Sequence, residues 1–89
     1  MTADKRRERL RFRSWHRGTR EMDLLLGSFA DQHLAGFTSA QLGQYEALLE
    51  LSDPDLYNWI TGKETVSPEH DSDVMRKLCK HRFKDKRAV

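Results

Sequence analysis

Residues 19–34 read TREMDLLLGSFADQHL, and this stretch decides the fold class. Four large apolar residues recur in it at positions i, i+3, i+4 and i+7: Met22, Leu25, Leu26 and Phe29. Side chains at this spacing line one side of an α-helix, because a helix completes a turn every 3.6 residues. The pattern predicts an amphipathic helix from Thr19 to about Leu34 whose apolar stripe faces a core.

The residues before this stretch predict a separate first helix that is highly charged. It runs from Arg7 to His16, and its apolar residues are Leu10, Phe12 and Trp15. We expect it to end at Gly18, since glycine can take the positive φ that often closes a helix. The next helix then starts at once.

The start of the third helix is predicted from a helix-ending glycine and a capping motif. Gly36 closes the second helix, and Thr38 followed three residues later by Gln41 has the spacing of a capping box. In such a box the hydroxyl and the amide satisfy free backbone N–H groups at the helix start. The predicted inner side consists of Leu42, Tyr45, Leu48 and Leu49.

A short fourth helix is predicted over Pro54–Ile60. Proline cannot continue the third helix, but it fits the first turn of a new one, and Asp53 before it is the expected N-cap. The helix presents Leu56, Trp59 and Ile60 inward and ends at Gly62.

Ser67, followed by Pro68, is the expected start of a last helix, with Ser67 as its cap. The inner side of this helix is Val74, Met75, Leu78 and Cys79. Residues 1–6 and the basic tail 84–89 are expected to be flexible. Taken together, these patterns predict one domain over residues 1–89, an all-α fold that is a compact small bundle of about five helices.

The charge of the chain is unevenly distributed around a net value of +2. Residues 1–20 hold eight Lys/Arg against two acids, and residues 76–89 hold seven against one, so each end carries +6. Residues 21–75 hold one lysine against eleven acids and carry −10. This distribution could steer a charged partner, although a solvated surface is the commoner reason for it.

Composition excludes several classes of protein. A single cysteine, Cys79, permits no internal disulfide, and no Cys/His grouping has zinc-ligand spacing, so no metal is expected. No apolar run approaches the roughly 20 residues that a membrane span requires. We find no nucleophile–base pair, phosphate loop or carboxylate pair, and therefore expect a protein that is not an enzyme. The bacterial cytoplasm is the expected compartment, ahead of the mitochondrial matrix.

Two motifs then stand out: Arg17-Gly18-x-x-Glu21 at the junction of the first two helices, and residues 53–59, DPDLYNW, some thirty residues later. In this combination the chain resembles the SdhE family, the bacterial FAD assembly factors and their mitochondrial counterparts, which carry an RGxxE motif. The resemblance extends from about Arg6 to Arg82. Ser14-Trp15-His16 is similar to alphaproteobacterial members.

The resemblance implies a five-helix assembly factor that docks on the flavoprotein subunit of succinate dehydrogenase, and we expect it to be a monomer. There it would promote covalent attachment of FAD by stabilising a competent conformer of that subunit. We expect no stably bound cofactor in the protein itself, which acts on the FAD attached to the partner, and whether it contacts FAD directly stays open. Whether a fumarate reductase is also served stays open.

We expect six residues to form the partner-binding surface: His16, Arg17, Gly18, Arg20, Glu21 and Tyr57. Arg17 could offer its guanidinium to the partner or pair with Glu21 one helical turn later, and the docking role is favoured because Arg before Glu is the weaker orientation. Glu21 could equally satisfy the N–H of a Gly18 N-cap. Tyr57 lies off the inner stripe and is the candidate aromatic anchor.

The histidines also have a simpler interpretation as solvated surface residues, and two other functions stay open. His16 beside the motif could be merely solvated, and His33, His70 and His81 are interpreted as surface residues. A nucleic-acid-binding function is the main alternative, because residues 5–13, KRRERLRFR, could follow a phosphate backbone. A helical antitoxin-like regulatory adaptor is a further alternative.

Overall fold

The computed structural model describes residues 3–81. Within them the chain forms five α-helices, which are separated by short connections rich in polar residues and glycine. The helices are α1 Ala3–Trp15, α2 Arg20–His33, α3 Ser39–Leu49, α4 Asp53–Ile60 and α5 Asp73–Lys80. Single 3₁₀ turns lie at Leu34–Gly36 and Pro68–His70. Within residues 3–81 there is no strand, so the predicted all-α bundle of about five helices is confirmed.

One core holds the helices together. α1 packs along α2, α3 packs against α1 and α5, and α4 contacts α5. Phe29 of α2 and Tyr45 of α3 are fully buried at its centre, with ring centroids 5.6 Å apart. The predicted inner positions of all five helices contribute to this core or pack against it, except Phe12 and Trp15 of α1. Phe12 is 64 % exposed, and its ring stacks on His16 instead, with the centroids 4.1 Å apart.

The helix caps confirm one prediction and correct two. Thr38 and Gln41 form the complete capping box at the start of α3. Asp53 is not the cap of α4: the Ser52 hydroxyl accepts from the Asp55 N–H, and Asp53 is the first helical residue.

Ser67 is the second correction, because its side chain makes no capping hydrogen bond and only a 3₁₀ turn follows it. The last helix starts at Asp73, where the Ser72 hydroxyl accepts from the Met75 N–H at 3.1 Å. Ser72 is therefore the cap that the sequence analysis assigned to Ser67.

The arginine run of α1 fastens this helix to its neighbours. The helix begins at Ala3, four residues before the predicted Arg7. Arg6 pairs with Glu46 and Arg13 with Glu50 on or next to α3, while Arg7 donates to the Leu34 carbonyl (2.9 Å) and the Phe37 carbonyl (2.8 Å). Arg11 lies 3.7 Å from Asp31 of α2. Four of these arginines thus bind the protein itself, a role the sequence analysis missed.

Trp15 of α1 packs directly against Gly27 of α2. A Cβ on Gly27 would lie 2.2 Å from Trp15 Cδ2, well inside van der Waals contact. Gly27 is therefore required by packing, since the indole ring occupies the space that any side chain would need.

A buried hydroxyl pair joins α1 to α3. The Ser14 hydroxyl and the Tyr45 hydroxyl are hydrogen-bonded, and Ser14 also donates to the Leu10 carbonyl at 2.7 Å. Both side chains are fully buried. Burial raises the pKa of Tyr45 to about 12, against smaller lowering effects from Ser14 and nearby arginines. The neutral phenol is thus the form that the fold stabilises.

We expect Tyr45→Phe to remove a pH dependence of stability above pH 10. The unfolded chain loses the phenol proton near pH 10 and the folded chain only near 12, so the free energy of unfolding falls across this window by about 1.4 kcal/mol per pH unit. Urea unfolding followed by circular dichroism should show Tyr45→Phe less stable by about 1 kcal/mol at pH 9, with the gap closed or slightly reversed at pH 11. A gap that stays constant would contradict the assignment.

His81 corrects another prediction, because it is buried and not a surface residue. Its Nε2 lies 2.9 Å from the Ser28 hydroxyl, and its ring meets the edge of Phe29. His33 and His70 are half-buried. Burial, followed by the positive charge of Lys77, lowers the pKa of His33.

The predictions about the chain ends, membrane spans and metal sites can be compared only with residues 3–81. The basic tail 84–89 lies outside the described residues, as do residues 1–2 of the expected flexible start, whereas residues 3–6 belong to α1. None of the helices within residues 3–81 is long and apolar enough to cross a membrane. The same residues hold no group of three or more His, Cys, Asp or Glu side chains arranged to bind a metal ion.

Candidate docking site

The corner between α1 and α2 is built by short-range hydrogen bonds. Residues 16–19 connect the two helices, and the Asp23 carboxylate accepts from the Arg17 backbone N–H. The Thr19 hydroxyl accepts from the Met22 N–H at 3.3 Å and caps α2. The corner thus has a defined backbone path, because both of its ends are tied to the first turns of α2.

The Arg17 side chain links this corner by hydrogen bonds to the end of α3 and the connection between α3 and α4. Its Nε and Nη2 both donate to Asp53 Oδ1, at 2.9 and 2.7 Å. Nη1 donates to the Leu49 carbonyl at 2.6 Å, and Nη2 also donates to the Leu51 carbonyl at 2.9 Å. Only 12 % of the side chain is exposed. One guanidinium therefore holds three segments together.

This geometry corrects one of the two roles weighed for Arg17, the pairing with Glu21, and the docking role stays a prediction. Its guanidinium does not pair with Glu21, and four of its donor contacts are already made inside the protein. An arginine engaged in this way fixes the shape of the corner. The same bonds explain Asp53, whose carboxylate binds Arg17 where a cap was expected.

Gly18 has a backbone conformation that favours glycine. Its φ is +121°, and a Cβ built on it would meet no atom within 4 Å. The first value means that an L-residue would be strained here. The second means that a side chain at this position would project into open space. Gly18 is therefore needed for the turn and also leaves the outer side of the corner bare.

Glu21 is exposed on the first turn of α2. The prediction that Gly18 is the N-cap of α2 is wrong, since Thr19 is the N-cap. The Glu21 side chain accepts no hydrogen bond from the Gly18 N–H within the described residues. Within residues 3–81 the Glu21 carboxylate makes no hydrogen bond or ion pair, so it is free to bind another molecule. A negative charge at this place also favours the positive end of the α2 dipole.

A surface groove of about 410 Å³ adjoins the corner and joins the two sequence motifs. Its lining residues are Thr19, Glu21, Met22, Asp53, Pro54 and Tyr57. Tyr57 is half-buried, and its ring packs partly on the core, so it is a wall of this groove more than the projecting anchor that was expected.

His16 and Arg20 lie beside the corner and do not line the groove. Both are exposed. His16 Nδ1 lies 2.7 Å from the Phe12 carbonyl, which fixes the ring against Phe12. Arg20 makes no hydrogen bond or ion pair within the part of the chain that is described. The structure thus brings Glu21 and Tyr57 together and leaves His16 and Arg20 at the margin.

The fold and this site define a small all-α protein that presents a fixed helix-to-helix corner next to a surface groove. The model of the family Sdh5, described as flavinator of succinate dehydrogenase, matches residues 8–82, and the chain belongs to this family. The resemblance seen in the RGxxE and DPDLYNW motifs is thereby confirmed.

Several named relatives agree with this membership. The chain is 43 % identical over 82 residues to the mitochondrial succinate dehydrogenase assembly factor 2 of Dictyostelium discoideum, a match that covers 92 % of this chain and 57 % of the relative. It is 42 % identical over 81 residues to that of Candida glabrata, covering 86 % and 53 %. It is 37 % identical over 73 residues to the FAD assembly factor SdhE of Acetobacter pasteurianus, covering 82 % and 67 %. The chain thus spans about half to two thirds of the length of these relatives.

Proposed function

We propose that this protein docks on the flavoprotein subunit of succinate dehydrogenase and promotes the covalent attachment of FAD to it. Membership of the flavinator family supports this assignment. The observation that carries it at residue level is the bare corner at Gly18 with the unpaired Glu21 beside it, because a partner's backbone can approach a glycine and bind a free carboxylate.

In this proposal the protein acts by binding and not as an enzyme. A binding partner that prefers one conformer of the flavoprotein raises the population of that conformer by no more than its differential affinity. The rigid corner suits this task, since Arg17 fixes its shape before binding and less conformational entropy is lost on association. The flavin chemistry then belongs to the partner.

The proposal also covers the oligomeric state, the ligands and the compartment of the protein. The protein works as a monomer, binds no nucleic acid, and holds no FAD of its own. It acts in the bacterial cytoplasm, where the match to a bacterial SdhE gives support, although the other relatives named above are mitochondrial proteins. Equilibrium dialysis of the purified chain against FAD would test the cofactor part, since retained flavin would contradict it.

The arginine contacts argue against the nucleic-acid alternative. Arg6, Arg7 and Arg13 bind carboxylates or carbonyls of the protein itself. A phosphate footprint needs lysines and arginines whose charges are available to the nucleic acid. The run in residues 5–13 therefore serves chiefly to fasten α1.

Co-expression with the flavoprotein subunit tests the proposed function. We expect the flavoprotein band on a denaturing gel to gain covalent flavin fluorescence several-fold when this protein is present. Glu21→Ala should remove most of that gain while leaving the stability of this protein within about 0.5 kcal/mol, because the side chain is exposed and unpaired. Equal fluorescence with and without this protein would refute the proposal.

A further inference from the structure

The groove between α2 and α4 has an apolar interior and an acidic margin. Met22, Pro54 and the Tyr57 ring supply apolar surface, while Glu21 and Asp53 supply carboxylates. No lysine or arginine is among its lining residues. A long side chain with a hydrocarbon stem and a cationic end matches both features, because such residues lay their stems on apolar surface and keep the charge at the edge.

The carboxylates of the groove have capacity left for such a cation. Arg17 binds only Oδ1 of Asp53, and Oδ2 has no hydrogen-bond partner within residues 3–81. Because Arg17 compensates the charge of Asp53, Glu21 is the uncompensated charge of the groove. The electrostatic attraction of the groove for a cation therefore comes mainly from Glu21.

The aromatic wall can also hold a cation. The Lys63 ammonium lies 5.4 Å from the centre of the Tyr57 ring, within the distance at which a cation is attracted to an aromatic face. A guanidinium can stack on such a ring and pair with a carboxylate through two parallel hydrogen bonds, whereas an ammonium acts as a point charge. The combination of a tyrosine wall and a free glutamate therefore favours arginine over lysine.

We propose that this groove receives an arginine side chain of the flavoprotein partner, with its stem along Pro54 and its guanidinium against the Tyr57 ring and Glu21. The inference rests on the proposed function and adds the chemistry of the partner residue to it. It also explains why the RGxxE and DPDLYNW motifs lie together in space although some thirty residues separate them: each contributes one side of the same groove.

The test compares Glu21→Gln with Glu8→Gln. Both changes remove one negative charge and keep the side-chain shape, but Glu8 is an exposed residue of α1 outside the groove. Isothermal titration with the purified flavoprotein subunit should show Kd weakened about tenfold or more by Glu21→Gln and nearly unchanged by Glu8→Gln. Equal effects of the two variants would overturn the proposal.

Chemical labelling identifies the partner residue. Phenylglyoxal modifies exposed arginines and an acetylating ester modifies exposed lysines, and peptide mapping of the flavoprotein reads both. At saturating concentrations, one flavoprotein arginine should be protected by the wild type and reactive again with Glu21→Gln. Protection of lysines alone, or an arginine protected equally by both proteins, would overturn the proposal. Absence of any complex with the wild type would instead refute the proposed function itself.

Discussion

Replacing Arg17 by alanine should destabilise the protein by about 2–4 kcal/mol. This is somewhat less than the loss of a fully buried ion pair, because the Asp53 side chain is 26 % exposed. The variant loses four hydrogen bonds and leaves a carboxylate and two carbonyls without their donor. For a domain of this size the thermal midpoint should fall by about 10–25 °C. Urea unfolding and thermal scans by far-UV circular dichroism measure both quantities.

Two further variants separate the shape of Arg17 from its charge. Arg17→Lys keeps the charge but cannot reach Asp53, Leu49 and Leu51 from one planar group, so most of the loss should persist. Arg20→Ala removes an exposed arginine three residues away and should change the free energy of unfolding by no more than about 0.5 kcal/mol. A stable Arg17→Ala protein would contradict the fastening role.

A double-mutant cycle between Arg17 and Asp53 tests the corrected role of Asp53. If the carboxylate chiefly binds Arg17, the losses in Arg17→Ala and Asp53→Ala should be strongly non-additive, with a coupling energy of about 1–3 kcal/mol. If Asp53 were only a helix cap, the two losses would add. Ser52→Ala is the matched control, since that hydroxyl is the cap of α4 and should not couple to Arg17.

The helices were predictable because their signals are local. The period of Met22, Leu26 and Phe29 depends only on helix geometry, and all three are buried as expected. The Thr38 capping box likewise needs only residues three positions apart. Periodicity and caps therefore gave the number and order of the helices without any knowledge of the tertiary contacts.

The partners of polar side chains were less predictable because tertiary contacts select them. Ser52 and Asp53 are both good caps, and the one that caps is decided by Arg17, 36 residues away, which binds Asp53. His81 reads as a surface residue by composition and is buried because Phe29 and Ser28 lie beside it. At the candidate site the sequence predicted the corner but not the bonds of Arg17 to Asp53 and Leu51, which depend on the tertiary fold.

Gly18→Arg should abolish the gain in covalent flavin that the wild type produces on the flavoprotein subunit. The new side chain would project into the open space outside the corner, where the partner is proposed to approach. The open space around Gly18 would by itself predict a nearly unchanged thermal midpoint. The φ of +121° revises this expectation, because the strain of an L-residue there costs about 1–3 kcal/mol and lowers the midpoint by about 5–15 °C.

Gly18→Ala separates the strain from the obstruction. Alanine adopts the same unfavourable φ, and its Cβ also meets no atom within 4 Å, so both variants should unfold at midpoints within a few degrees of each other, since they share about the same strain. Flavinylation measured well below both midpoints should then be retained in large part by Gly18→Ala and lost in Gly18→Arg. Equal loss in the two variants would mean that the glycine serves only the turn, because the backbone strain is the one change they have in common.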